Sequence, residues 1–178
     1  MAKINNLKDL VKELERGPVY DTYGSILKNI DIDIKECEPY CTWNDDRHTR
    51  NRIFRNGGFE LMLTCIKPGQ ATAIHNYGHQ QGWAYIIQGE LTEVKYSGGE
   101  STGDVAEVYR NKLKKGEMTY INDYEGMHQF VNESDKPVIA LHLFVEPFEY
   151  WKAFNTESGA FEDVKSVYDS DHTAEFES

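Results

Sequence analysis

Apolar positions near the start of the chain recur at helical spacing. Leu7, Leu10, Val11 and Leu14 fall on one face between Asn5 and Glu15, with Asn5 or Asn6 placed to cap and Gly17-Pro18 to stop the helix. Tyr23, Ile26 and Leu27 predict a second helix within 20–30. Residues 31–46 are acidic, contain Pro39, follow no period and read as a connection. From Arg47 onward short β-forming runs alternate with Gly, Asn, Asp and Pro turns, among them Asn56-Gly57-Gly58, Lys67-Pro68-Gly69, Ser97-Gly98-Gly99 and Lys115-Gly116. They predict strands over 47–54, 59–66, 70–76, 83–88, 90–97, 107–113, 118–121, 127–131 and 137–145.

That number and spacing of strands predicts a mainly β chain, a jelly-roll β-barrel preceded by N-terminal α-helices at about 5–30, forming one domain over 1–178. Residues 148–154 are expected to form a helical turn, and the acidic tail from Asp163 ends in a tip too polar to bury. A net charge of -11 argues against nucleic acid or an anionic membrane as partner, because both need clustered Lys and Arg. No apolar run approaches the ~18 residues of a membrane span, and the first ten residues lack the apolar core of a signal peptide. An odd count of 3 cysteines suits a reducing compartment, so a cytoplasmic protein is expected. Cys37 and Cys41 lack a second Cys/His pair at zinc-ribbon distance, and Cys65 alternates within a strand as a buried small residue.

Candidate chemistry gathers around Gly69–Gly89. The stretch reads strand, polar turn, strand, with His75 and Tyr77 projecting to one face by the period of two. His75 and His128 each follow a turn, and two imidazoles converging from different strands form an ordinary transition-metal site.

A glycine, six residues, a histidine at a strand end and a glycine closing the next strand resembles the first cupin motif, with His75-Asn76-Tyr77 standing where cupins usually carry His-x-His. Residues 46–160 resemble the cysteine dioxygenases and related thiol dioxygenases of that superfamily. Three segments carry the likeness. His48-Thr49-Arg50-Asn51 is similar to the family's Tyr-Thr-Arg-Asn; Ile74-His75-Asn76-Tyr77 with Gln88-Gly89 resembles its Ile-His-Asp-His and Gln-Gly; Gly126-Met127-His128 and Leu141-His142-Leu143-Phe144 resemble its Gly-x-His and Ser-x-His-x-Tyr. The resemblance implies a mononuclear non-haem iron (Fe) held by His75, His128 and the residue at 77, a thiol bound to it, O2 as co-substrate and a sulfinate product. It implies Arg50 as carboxylate anchor, which suits a planar guanidinium. His48 and Phe144 fall at substrate-binding positions, and His142 at a position that orients substrate or transfers a proton.

The departures have chemical content. Tyr77 replaces a ligand histidine, and an anionic phenolate favours Fe(III) over the Fe(II) that binds O2; His79 is the alternative donor. Ala140 and Phe144 remove the serine and tyrosine of the Ser-His-Tyr relay and leave His142. Gly82 stands where animal enzymes have a cysteine cross-linked to that tyrosine, so no thioether can form between Gly82 and Phe144. Arg52 shares a face with Arg50 and either reads a second anion or, more simply, pairs with acidic side chains. Trp83 and Tyr85 are expected in the core, and Trp151 and Phe154 over the barrel mouth. The expected activity is oxidation of a small thiol or sulfur-containing, amino-acid-like carboxylate by a monomer. The rivals are metal-dependent lyase or isomerase chemistry without O2, and a non-catalytic binding cupin.

Overall fold

The computed structural model describes residues 3–18, 23–76, 81–122 and 126–177. Three short helices, α1 (Leu7–Arg16), α2 (Tyr23–Leu27) and α3 (Ile34–Cys37), precede the strands. The Asn6 side chain caps α1 by accepting from the Asp9 amide at 2.8 Å, and Gly17 ends it at φ 76°, a left-handed value suited to glycine. A helix of 10 residues would be marginal alone, and the burial of Leu7, Leu10, Val11 and Leu14 against a sheet stabilises it. Each such leucine contributes about 1.5–3 kcal/mol.

Strands β1 (Thr49–Arg55), β2 (Phe59–Ile66), β3 (Ile74–Asn76), β4 (Gln81–Gln88), β5 (Glu90–Gly99) and β6 (Asp104–Lys114) are followed by β7 (Met118–Asn122), β8 (Met127–Val131), β9 (Val138–Val145), β10 (Tyr150–Asn155), β11 (Ala160–Lys165) and β12 (Ser170–Asp171), with α4 (Thr173–Phe176) last. They form two open six-stranded sheets, ordered β12-β1-β2-β9-β4-β7 and β11-β10-β3-β8-β5-β6. Neighbours are antiparallel except for β12, which runs parallel to β1. This is the jelly roll that the strand count predicts, built as two facing sheets and not as one continuous hydrogen-bonded ring.

The first sheet is buried on both faces, which explains why every residue of β2 is buried. Leu61, Leu63 and Cys65 join the helices in one core, while Met62 and Ile66 join Phe130 and Phe144 in the core between the sheets. Antiparallel register then sorts the neighbours. Arg50 opposes Thr64 and Arg52 opposes Met62, so both arginines take the inner face; His142 also opposes Met62. Opposite them, His75 pairs with His128 and Ala153, so His75, His128 and Trp151 belong to one face of the second sheet.

Several expectations are corrected. Residues 148–154 do not form a helical turn: β10 and β11 make a hairpin, with Phe154 on Phe161 at 5.0 Å between ring centroids. The β10 ladder to β3 supplies partners that local sequence does not reveal. Of 70–76, only Ile74–Asn76 is strand, with Ala71 making an isolated bridge to Val131. The connection 31–46 holds α3 and a 3-10 turn (Glu38–Tyr40). The acidic tail is docked: β12 lies on β1, and Phe176 is buried against Tyr40. Its acidic groups end on arginines, so polarity did not prevent docking. Cys37, Cys41 and Cys65 are free thiols, and burial pushes Cys37 up to about 12.

Candidate active site

Between the sheets lies a small cavity of about 30 Å³, lined by His48, Arg50, Met62, Thr64, Thr72, His75, Phe130, His142 and Trp151. Three different strands of the first sheet supply Arg50, Thr64 and His142; the second sheet supplies His75, Phe130 and Trp151. The expected site residues His48, Arg50, His75 and His142 therefore meet in one place. Trp151 joins them edge-on to His75, with centroids 4.9 Å apart, as its place over the barrel mouth suggested.

His75 and His128 face each other across their ladder with ring centroids 4.5 Å apart. The Nδ1 of His75 lies 2.7 Å from the Ala73 carbonyl. A proton there points the Nε2 lone pair away from the backbone, the arrangement that orients a metal-ligating imidazole. His128 forms part of a second, smaller cavity with Glu93, Lys95, Asn122 and Met127. Burial pushes His75 down to about 3 and His128 well below its ordinary value, with neighbouring positive charges adding to the effect. Both rings are neutral at physiological pH, the form that donates a lone pair to a metal. They fit two sites of a mononuclear centre. Among the described residues no third His, Cys, Asp or Glu completes a metal cluster. Tyr77 and His79, the expected third donors, lie outside the described residues.

His142 is 2% exposed, and neither ring nitrogen has a hydrogen-bond partner. It stacks on Phe144 at 5.9 Å and meets Phe130 edge-on at 5.5 Å. Burial, then Arg50, pushes it down to about 3. The relay positions Ala140 and Phe144 are buried apolar residues, so neither gives His142 a group to exchange a proton with. Phe144 lies behind His142 and is not among the cavity-lining residues. Its ring abuts Gly82, where an added Cβ would come within 2.8 Å of Phe144 Cδ1. Gly82 and Phe144 are paired across β4 and β9, so the cross-link positions remain adjacent although their chemistry is gone.

His48 carries a buried Nδ1 without a partner, and burial followed by the Arg50 charge keeps the ring neutral. The Arg50 guanidinium has no ion-pair partner among the described residues; its Cζ rests 4.8 Å from the centre of the Tyr168 ring. Arg52 is the opposite case, paired with Glu60 at 3.3 Å and Asp171 at 2.6 Å. The plainer expectation for Arg52 is therefore correct, and among the described residues Arg50 faces the cavity without a carboxylate partner. Thr64, Thr72, Met62 and Phe130 were not singled out from sequence, because alternation marks them only as inward residues. Tyr168 was also missed; an apolar Val167-Tyr168 pair inside an acidic tail was its one signal.

Comparison with known proteins identifies the family. The family model "Cysteine dioxygenase type I" matches residues 3–157. Cysteine dioxygenase type 1 of Homo sapiens is 28% identical, the match covering 96% of this chain and 89% of that protein. The Danio rerio protein of the same name is 25% identical over 94% and 88% of the two chains. A double-stranded β-helix protein from Klebsiella pneumoniae superposes with a TM-score of 0.52 at 17% identity, covering 72% of this chain and 94% of that one, and supports the fold alone.

Proposed function

The chain belongs to the cysteine dioxygenase type I family and is a thiol dioxygenase of that kind, and we propose that it oxidises a small thiol carboxylate in the His75–His142 cavity. The overall change is RS⁻ + O2 → RSO2⁻. The O–O bond breaks, two S–O bonds form, and both oxygen atoms remain in the product while sulfur gives up four electrons. The observation that carries the assignment of roles is the Arg50 guanidinium, without an ion-pair partner among the described residues, beside a neutral His75–His128 pair.

His75 and His128 would hold a mononuclear iron, with Tyr77 as the third protein donor. That group supplies a binding point for thiolate and a means of activating O2. Arg50 binds the substrate carboxylate through a bidentate pair of N–H bonds, which fixes the distance from carboxylate to sulfur. Met62, Phe130 and Trp151 exclude water and restrict the site to short chains. Phe144 backs the His142 ring and holds its plane. Neutral His142 offers one N–H and one lone pair, so it can orient the substrate's polar group by donating one hydrogen bond and accepting another. His48 offers a further acceptor at Nδ1.

No described helix is long and apolar enough to cross a membrane. Free thiols at all three cysteines suit a cytoplasmic setting, and the chain would act there as a monomer on its thiol and O2. The test is anaerobic purification from the native host, measurement of iron, and simultaneous recording of O2 uptake and sulfinate with L-cysteine. One sulfinate per O2 is expected. Thiol turnover without O2 uptake would replace this reading with non-redox metal chemistry. Replacing Tyr77→His should raise Fe(II) occupancy; unchanged occupancy would remove Tyr77 from the ligand set.

A further inference from the structure

We propose that Tyr168, in the segment after β11, is a positioning residue that holds Arg50 in its carboxylate-binding orientation, an inference that rests on the assignment of Arg50 above. Tyr168 lies beyond the part of the chain matched by the family model, which ends at residue 157.

The contact geometry is specific. Arg52 Cζ sits 3.7 Å and Arg50 Cζ 4.8 Å from the centre of the Tyr168 ring. Arg52 is already neutralised by Glu60 and Asp171, so its stacking locates the ring. Arg50 has no such partner among the described residues, and the ring is an attraction that restricts its rotamers. The phenol donates to the buried Glu60 carboxylate at 2.6 Å, which locks the ring plane and leaves its electron-rich face to the guanidinium.

The segment is tied to the strand that carries Arg50. The Asp169 carboxylate accepts from the Arg50 amide at 2.9 Å and pairs with Arg47 at 2.6 Å. The Asp169 amide donates to the Arg50 carbonyl at 2.8 Å, and the His172 amide to the Arg52 carbonyl at 3.0 Å. Ser170 Oγ adds a bond to Asn51 at 2.9 Å. Backbone and ring together leave the guanidinium free to turn its donors toward the cavity and restrict it from swinging out. A neutral aromatic face does this without competing for the substrate carboxylate, as an Asp or Glu at the same place would.

The experiment compares full-length wild type, Tyr168→Phe, Tyr168→Leu and Arg50→Ala. Anaerobic calorimetry measures affinity for L-cysteine and for cysteamine, which has the thiol and amine but no carboxylate; thermal melting checks folding. Tyr168→Leu should lower the preference for L-cysteine over cysteamine by roughly 3- to 30-fold, the range of one cation–π contact. Tyr168→Phe keeps the aromatic face, though not the bond to Glu60, and should lose less of the preference than Tyr168→Leu. In turnover the loss should appear in KM for L-cysteine, with kcat for cysteamine unmoved. An unchanged preference in Tyr168→Leu, or an equal loss in Tyr168→Phe, overturns the proposal. So does a wild type that binds both thiols alike. Absence of O2 uptake with a normal affinity preference would overturn the oxygenase assignment and leave the role of Tyr168 standing.

Discussion

Mild acid should destabilise the metal-free protein, and the size of the loss follows from its buried imidazoles. His75, His128 and His142 are at most 5% exposed, and burial lowers the proton affinity of each. Their surroundings contain Arg50 and Lys95 as repelling positive groups, and a proton on any one ring would repel a proton on its imidazole neighbours. In the unfolded chain each imidazole takes up a proton near pH 6.5. The folded value is the lower one, so the stability is present above 6.5 and is lost as pH falls from 6.5 toward about 3, the folded value for His75 and His142. Linkage gives about 1.4 kcal/mol per pH unit for each proton bound only by the unfolded chain. From pH 7 to pH 5 that amounts to about 2 kcal/mol for each of His75 and His142, about 4 kcal/mol together, with His128 adding in the same direction, against a typical total of about 5–15 kcal/mol. Carboxylates titrate near pH 4 in the unfolded chain and add little in this window. Urea unfolding of chelator-treated protein at pH 7, 6, 5.5 and 5 would measure the slope, and His142→Leu should reduce it by about one third. A loss under about 1 kcal/mol, or a slope that His142→Leu leaves unchanged, would mean that water already reaches and protonates these rings in the folded state.

Substituting Arg50→Lys keeps charge and removes the bidentate fork, so KM for L-cysteine should rise roughly 30-fold or more, read from sulfinate formation against substrate concentration. An unchanged KM would place the carboxylate elsewhere. His75→Ala and His128→Ala should each abolish iron retention by elemental analysis, while His142→Ala should retain it; loss of iron in the last would make His142 a ligand. Gly82→Ala would drive a Cβ to 2.8 Å from the Phe144 ring and 3.2 Å from the Leu143 carbonyl. Overpacking of that kind costs about 1–3 kcal/mol, and the melting temperature should fall by about 2–4 °C per kcal/mol. Adding Phe144→Leu should recover part of the loss; no fall on Gly82→Ala would show that the ring moves freely.

The parts legible in sequence are those fixed by local pattern. The period of two located β2 and β8 to the residue, because Phe59–Ile66 and Met127–Val131 are bounded by strong turn signals. His48, Arg50 and His142 were found through the resemblance of their segments to the cysteine dioxygenases, whereas His75 also stood out by itself as a histidine at a strand end beside a polar turn. The β10–β11 hairpin escaped, since Tyr150–Asn155 has mixed polarity and gains its strand character from pairing with β3. The docking of residues 166–172 escaped for a related reason. Its stability comes from Arg47, Arg52 and the β1 backbone, partners that no window around the tail contains. Arg50 and Arg52 looked equivalent by position, and a buried carboxylate at Glu60 on the next strand separates them.

The parallel seating of β12 on β1 also bears on the order of events during folding. Arg50 meets its Asp169 partner across 119 residues of sequence, among the longest-range hydrogen bonds of the fold. Contacts this remote form late, after the closure entropy of the intervening chain has been overcome. Until residues 166–172 dock, β2 can pair with β9 and bring the histidines together, yet Arg50 lacks both clamp and ring. Competence to select a carboxylate would thus arrive after competence to bind metal, and proteolytic trimming of the tail would return the protein to that immature state.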